Sequence, residues 1–443
     1  MTILETATIS APRRWKFLPV GQNIVDQGRE YVGTFLTEFA VMVSQILLYK
    51  LAAHYLGKTG FSEYALVRRT VSLLFPIPVL GLAVGLPRYI GVTNGRGDSK
   101  AASLYYGATL WCVGGAAVVC LLLMNLLARP FAYLFFGDKA YWYLSLPLSL
   151  MIVGLCVHTV VCGYFRGHMA MNRANVLQFI NLAVVPVISF IAFGHSLARV
   201  LRAIGLISTL TASIGLFLTP VRAVAENNWQ EAKELLRYGI QRVPGDFILV
   251  ALFTLPATFI AHLKGVEEAG FVAFGISVVT IVGAIFAPVG LVLLPKATLM
   301  FAEGARKELR EHLRLILQVV LCASVAIVLV IWVWIPDLIR LYLGPGFEQV
   351  VPVVRLLILG ALPYSLYLVL RNLVDAYHEY GVTAAILSGG LAIFLAGSYF
   401  GKDLSAKTLS ILVAFLVAQI TIALLSGLEC KRILRTIEDN GQG

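Results

Sequence analysis

Charge is scarce in this sequence. Asp, Glu, Lys and Arg together make up 13% of its 443 residues, about half their share in soluble domains. With 59% of residues hydrophobic and a mean hydropathy of +0.84, the chain holds more apolar surface than a soluble core of this size hides from water. A soluble globular class is excluded, and a bilayer becomes the expected solvent. Cysteine is also scarce. The six present (Cys112, Cys120, Cys156, Cys162, Cys322, Cys430) include no C-x-x-C, and five fall in apolar runs. They read as small core residues, which excludes a disulfide framework or a zinc site. The seven histidines are scattered, with no H-E-x-x-H, and His158 and His195 read as packed or interfacial residues. Residues 52–59, A-A-H-Y-L-G-K-T, end like a phosphate-binding loop but lack its first glycine and follow an apolar run rather than a strand. No D-x-D pair and no nucleophile with an oriented base is apparent. Transport is favoured over catalysis, and no cofactor is expected.

What is present is a succession of apolar runs of about 20 residues, the length that crosses a bilayer. They fall at about 33–56, 66–90, 104–127, 142–163, 176–196, 203–220, 247–263, 269–294, 313–335, 352–373, 383–400 and 409–428. The class expected is an all-α polytopic membrane protein of about twelve transmembrane helices. The polar start, with Arg13, Arg14 and Lys16, predicts no cleavable leader. The net charge of +11 does not require a nucleic-acid partner, because cationic residues of membrane proteins collect in cytoplasmic loops. Arg13, Arg14, Lys16, Arg222, Lys233, Arg237, Arg306, Lys307, Arg310, Lys431, Arg432 and Arg435 share one side if the chain starts in the cytoplasm. That bias predicts both termini inside, in a bacterial inner membrane.

The chain also repeats itself. G-F-S-E-Y at Gly60 returns as G-F-V-A-F at Gly270, and P-V-L-G-L-A-V-G-L-P-R at Pro78 as P-V-G-L-V-L-L-P-K at Pro288. L-F-F-G at Leu134 returns as L-Y-L-G at Leu341, and Tyr164 corresponds to Tyr377. The offsets, about 207 to 213 residues, place six spans in each half. An even number gives both halves one orientation, as in transporters built from parallel repeats. The division expected is a cytoplasmic segment 1–30, lobes 31–221 and 244–428, a linker 222–243 with a short amphipathic helix, and a tail 429–443.

In the first span Tyr31, Thr34, Glu38, Met42, Gln45 and Tyr49 recur every three or four residues and share one helix face. An acidic group at mid-membrane costs about 2.5–3.5 kcal/mol on an insertion scale. Glu38 and Gln45 are therefore cavity candidates, the alternative being a polar seam satisfied by a neighbouring helix. The tenth span carries Tyr364, Tyr367, Arg371, Asp375 and His378 on one face. Arg68, Arg69, Arg88 and Asp246 lie near the ends of the second and seventh spans, as do Arg166 and Arg173 around the fourth. Each arginine reads as either an interfacial anchor or part of a cationic wall suited to a phosphate-bearing substrate. Prolines within spans (Pro76, Pro78, Pro186, Pro256, Pro288, Pro363) predict bends.

The strings L-G-K-T-G-F-S-E-Y-A-L, G-L-x-x-G-L-P-R-Y-I-G, G-Y-F-R-G-H-M-A-M-N-R-A-N and L-Y-L-G-P-G-F-E-Q-V-V-P-V-V-R-L-L-I-L-G resemble those of the polysaccharide flippases. These belong to the multidrug/oligosaccharidyl-lipid/polysaccharide exporter superfamily. The resemblance implies two six-helix lobes around a V-shaped cavity lined by the first, second, seventh and eighth spans. It also implies a lipid-linked oligosaccharide substrate, membrane lipids as surroundings, and polysaccharide polymerase and glycosyltransferase machinery as partners. The substrate-binding candidates are Glu38, Gln45, Arg68, Arg69, Arg88, Asp246, Tyr367 and Arg371. Cation-coupled multidrug extrusion, with Glu38 as the ion or proton site, stays open beside this reading.

Overall fold

A hairpin made of the first two apolar runs organises the N-terminal half. The computed structural model describes residues 24–220, 228–303, 306–378, 381–401 and 407–439. Among them all regular structure is helical: α1 (Ile24–Leu74), α2 (Pro76–Val79), α3 (Leu82–Gly95), α4 (Ser99–Leu126), α5 (Ala128–Phe136), α6 (Ser145–Gly167), α7 (Met171–Phe179), α8 (Val185–Phe193) and α9 (Leu197–Leu216), followed by α10 (Trp229–Lys264), α11 (Val266–Glu303), α12 (Arg306–Tyr342), α13 (Val350–Leu357), α14 (Ala361–Tyr377), α15 (Val382–Phe400) and α16 (Lys407–Asp439).

Eleven stretches of the described residues are long and apolar enough to cross a membrane. The first, Val32–Val79, has 48 residues and as one straight helix would measure about 72 Å, more than twice a bilayer core. It is not straight. Gly57 takes a left-handed φ of 65°, open to glycine without a Cβ clash, and the chain folds back there. The Tyr49 and Tyr64 rings stand 5.7 Å apart, and Arg68 donates to the Gln45 carbonyl at 3.5 Å. That stretch therefore makes two crossings, and the described residues make twelve. The second crossing continues through α2 and, after a break at Leu80 and Gly81, both with positive φ, through α3.

The sixth crossing starts at Leu197 rather than near residue 203. Arg199 and Arg202 look like a polar break, yet they lie exposed on the outer side of α9 while Leu197, Val200, Leu201 and Ile204 are buried. The linker holds no separate short helix in its described part. From Trp229 it runs unbroken into the seventh crossing as α10. Residues 1–23 and 221–227, parts of the segments named above, lie outside the described residues.

Pro186 shapes the N-terminal lobe. A proline has no N–H for the carbonyl four residues earlier, and the preceding turn, Ile180–Val184, is a π-helix. The Leu182 carbonyl accepts from Gln45 Nε2 at 3.1 Å, and the Ala183 carbonyl accepts from Ser44 Oγ at 3.0 Å. The same turn carries Asn181 into the lobe, 3.2 Å from His158 Nδ1 and bonded to Thr211. Gln45 of the first crossing thus satisfies the carbonyl that the proline left without its helical donor, which hydrocarbon alone cannot do.

The lobes meet closely at the Gly57 end. Lys58 pairs with Glu267 at 2.8 Å and donates to Gln349 at 2.7 Å. The Phe61 ring stands 5.4 Å from Phe274 and 5.1 Å from Phe347. Gly270 packs directly on the Ser62 backbone, and Tyr342 OH bonds the Ile46 carbonyl. At the opposite, linker end, the start of α10 rests on the N-terminal lobe. Tyr105 OH donates to Glu234 at 2.5 Å, and Gly239 lies against the Leu80 carbonyl with no room for a Cβ.

Candidate functional site

Between the lobes, on the linker side of the Phe61 cluster, lies a cavity of about 300 Å³. Its walls come from both arms of α1 (Gln45, Tyr49, Arg68, Arg69, Ser72), from α10 (Leu249, Val250, Phe253), from α11 (Ser277, Thr280, Ile281) and from Tyr364 of α14. These are the first, second, seventh and eighth crossings, joined by one residue of the tenth.

The two arginines are held differently. Arg69 is 9% exposed. Its Nε donates to the Ala273 carbonyl at 3.3 Å and its Nη2 to Ser277 Oγ at 2.8 Å, so a guanidinium of one lobe is tied to a helix of the other. Ser277 Oγ also lies 2.6 Å from Tyr49 OH and donates to the Ala273 carbonyl at 2.9 Å. Arg68 sits over the Tyr49 ring at 5.0 Å and the Tyr64 ring at 5.9 Å, donates to the Gln45 carbonyl at 3.5 Å and hydrogen-bonds Tyr64. Ring faces attract a guanidinium and fix its plane without using its N–H groups. Arg68 therefore keeps donors for a ligand.

Among the described residues, no carboxylate lines the cavity. Two guanidinium groups share the cavity with hydroxyls and an apolar wall of Leu249, Val250, Phe253 and Ile281. In a low dielectric, like charges without a counter-charge favour an anion strongly and repel a cation. Diphosphate and carboxylate match the fork of N–H donors.

The other sequence candidates are placed elsewhere. Glu38 is exposed and accepts from Gln178 Nε2 at 2.9 Å, and Gln178 Oε1 in turn accepts from Arg166 at 2.6 Å. This chain forms a seam between the first and fifth crossings. Arg88 lies at the linker end, 5.0 Å over the Tyr238 ring of α10. Arg371 pairs with Asp246 at 3.6 Å and Asp375 at 3.2 Å, and Thr383 donates to Asp375 at 2.6 Å. Tyr367 is buried, its ring 6.4 Å from that of Tyr364. Gln45, Arg68 and Arg69 thus come together in the cavity. Glu38, Arg88, Asp246, Tyr367 and Arg371 are not among its lining residues. Sequence reasoning missed Ser72, Ser277, Thr280 and the apolar wall on α10.

A family model for polysaccharide biosynthesis proteins matches residues 31–301, more than half of the chain and all the crossings that line the cavity except the tenth. The chain belongs to the polysaccharide biosynthesis protein family. The MatE family model also matches, over residues 244–400. This family member is 23% identical over 155 residues to Stage V sporulation protein B of Bacillus subtilis (strain 168), an alignment covering 34% of this chain and 30% of that protein. The chain therefore matches less than a third of the length of that curated relative. Its fold is similar to the inward-facing conformation of a multidrug resistance MATE family transporter of the MOP superfamily, with a TM-score of 0.78 and 12% identity over 90% of this chain and 96% of that one. It is also similar to a MOP superfamily transporter from Pyrococcus furiosus described by the reverse polarity of its binding pocket, with a TM-score of 0.66 and 14% identity over 92% and 96%. The chain is a multi-pass membrane protein with the two-lobe fold of those transporters.

Proposed function

We propose that this transporter moves a polyprenyl-diphosphate-linked oligosaccharide across the bacterial cytoplasmic membrane by alternating access, for cell-surface polysaccharide biosynthesis. The observation that carries the reading is the charge of the cavity, two guanidinium groups and, among the described residues, no carboxylate. A diphosphate crossing hydrocarbon needs counter-charge, because an unpaired ion in low dielectric is costly. Arg68 and Arg69 supply it. At about 300 Å³ the cavity is at the small end of ligand clefts. It suits the diphosphate and the sugar beside it, while the polyprenyl chain stays in lipid. A cationic drug would meet charge of its own sign.

Both termini are cytoplasmic in this reading and the Gly57 end faces out, so the cavity takes its load from the inner leaflet. Glycosyltransferases would supply the lipid-linked unit, and a polymerase would act after it. The test is to delete the gene in its host and complement it, then measure surface polymer and lipid-linked precursor. Loss of polymer with precursor accumulating in the inner leaflet is expected. Normal polymer together with sensitivity to lipophilic cations would favour multidrug extrusion instead.

A further inference from the structure

Arg69 has two roles in the geometry that compete with each other. It lines the anion cavity, and it is also the tie between lobes, bonded through Nε and Nη2 to Ala273 and Ser277 of α11. Counting from Gly57, it lies about 18 Å down the second arm of the hairpin, near the middle of the membrane. The packing of Phe61, Gly270 and Lys58 lies on the closed side of it. Any motion that opens the Gly57 end must therefore break the bonds from Arg69 to α11.

We infer that Ser277 positions Arg69 as a latch, and that an anion in the cavity releases the latch by taking over the guanidinium. This rests on the anion reading proposed above. A guanidinium presents its N–H groups in a fixed fork. A diphosphate at Arg68 offers that fork several charged acceptors, stronger partners than a neutral hydroxyl and a carbonyl. As Arg69 turns to the anion, both bonds to α11 are lost together. Ser277 is not stranded by this. Its hydroxyl keeps the Ala273 carbonyl as acceptor and Tyr49 OH as neighbour, so release leaves no buried polar group orphaned there. The empty transporter stays closed at the Gly57 end, and only the loaded one is freed to open. An anion thereby becomes a condition for the change of state, and a neutral lipid would not trigger it.

The sign of a mutational effect separates a latch from a simple support. A ligand that binds the released state better gains apparent affinity when the latched state is weakened. Ser277→Ala removes one of the two bonds, so the purified full chain should bind inorganic diphosphate about tenfold more tightly. A residue that merely orients Arg69 for the anion would give weaker binding on loss of its hydroxyl.

The experiment pairs diphosphate binding with the distance between spin labels at Lys139 and Glu268, which are exposed at the Gly57 end on opposite lobes, after replacement of the six native cysteines. Wild type should show a short separation that lengthens with diphosphate. Ser277→Ala should show the longer population without diphosphate, and Ser277→Thr, which keeps the hydroxyl, should behave as wild type. Weaker binding in Ser277→Ala, or no change in either readout, overturns the latch. Should Ser277→Ala not accumulate, the wild-type pair decides alone: diphosphate that binds without moving the labels also overturns it. Failure of wild type to bind diphosphate overturns the anion reading itself.

Discussion

Arg68→Ala should abolish movement of a diphosphate-linked substrate while leaving the protein folded and inserted. The guanidinium is fixed by two tyrosine faces and by hydrogen bonds to Gln45 and Tyr64, which leaves the larger part of its five N–H donors for a ligand. Its removal takes away a charged, forked contact and leaves no buried carboxylate unpaired. Loss of hydrogen bonds from a charged group typically costs about 1.5–3 kcal/mol, and a desolvated diphosphate loses two or more of them. Diphosphate affinity should fall on the order of 100-fold, with export reduced to background. Arg68→Lys keeps the charge but loses the fork and the flat stacking surface, so partial activity is expected. Arg88→Ala should bind diphosphate as wild type does, because Arg88 rests on Tyr238 at the linker end rather than in the cavity. Binding of diphosphate to purified variants and surface polymer in cells are the readouts. Equal loss at Arg68 and Arg88 would mean that net charge, not the cavity, is being read.

Gly270→Ala should push the lobes apart at the Gly57 end. A Cβ on Gly270 would stand 2.2 Å from Ser62 Cα and 2.7 Å from the Ser62 carbonyl oxygen. Those are backbone atoms in the middle of a helix, so no side chain can swing aside to make room. Overpacking of this kind typically costs about 1–3 kcal/mol. Here the cost falls on the closed arrangement alone, because the contact runs between lobes. The closed-to-open ratio should drop by about tenfold or more, seen as a longer separation between labels at Lys139 and Glu268 without any anion. Each lobe keeps its own packing, so the variant should still insert. An unchanged separation would mean that the lobes do not meet through Gly270.

Much of the architecture is visible in the runs of apolar residues. The gap between residues 56 and 66 already holds Gly57, whose left-handed backbone closes the hairpin. The site is legible in part. Gln45, Arg68 and Arg69 stand out because they are polar within apolar runs, where such groups need a reason to exist. Ser277 does not stand out. A serine in a transmembrane helix ordinarily bonds the carbonyl one turn back, and Ser277 does that too, so its second partner leaves no trace in local sequence. The internal repeat carries a usable signal, however. Arg69 and Ser277 are 208 residues apart, close to the repeat offset, because residues near a two-fold pseudo-axis face their own counterparts across it. Ser62 and Gly270, and Lys58 and Glu267, meet for the same reason.

Periodicity on one helix was less informative about partners. The stripe that joins Glu38 to Gln45 and Tyr49 is a property of the first crossing alone. Which helix faces each of its residues depends on the fifth crossing, where Pro186 and the π turn bring Gln178 to Glu38 and the Leu182 carbonyl to Gln45. For Arg371, the i+4 carboxylate of Asp375 could be read from spacing. Asp246, on another helix, could not.

Reconstitution tests the central claim, that an anionic cavity load is the cargo, most directly. The purified full chain in vesicles would be given a fluorescent polyprenyl-diphosphate oligosaccharide, and the fraction crossing the bilayer measured by quenching from outside. The same polyprenyl glycan without the diphosphate and a fluorescent lipophilic cation serve as comparisons. Movement of the diphosphate-linked lipid alone, lost in Arg68→Ala and competed by inorganic diphosphate, is the result predicted. Movement of the lipophilic cation with the diphosphate-linked lipid left behind would contradict it.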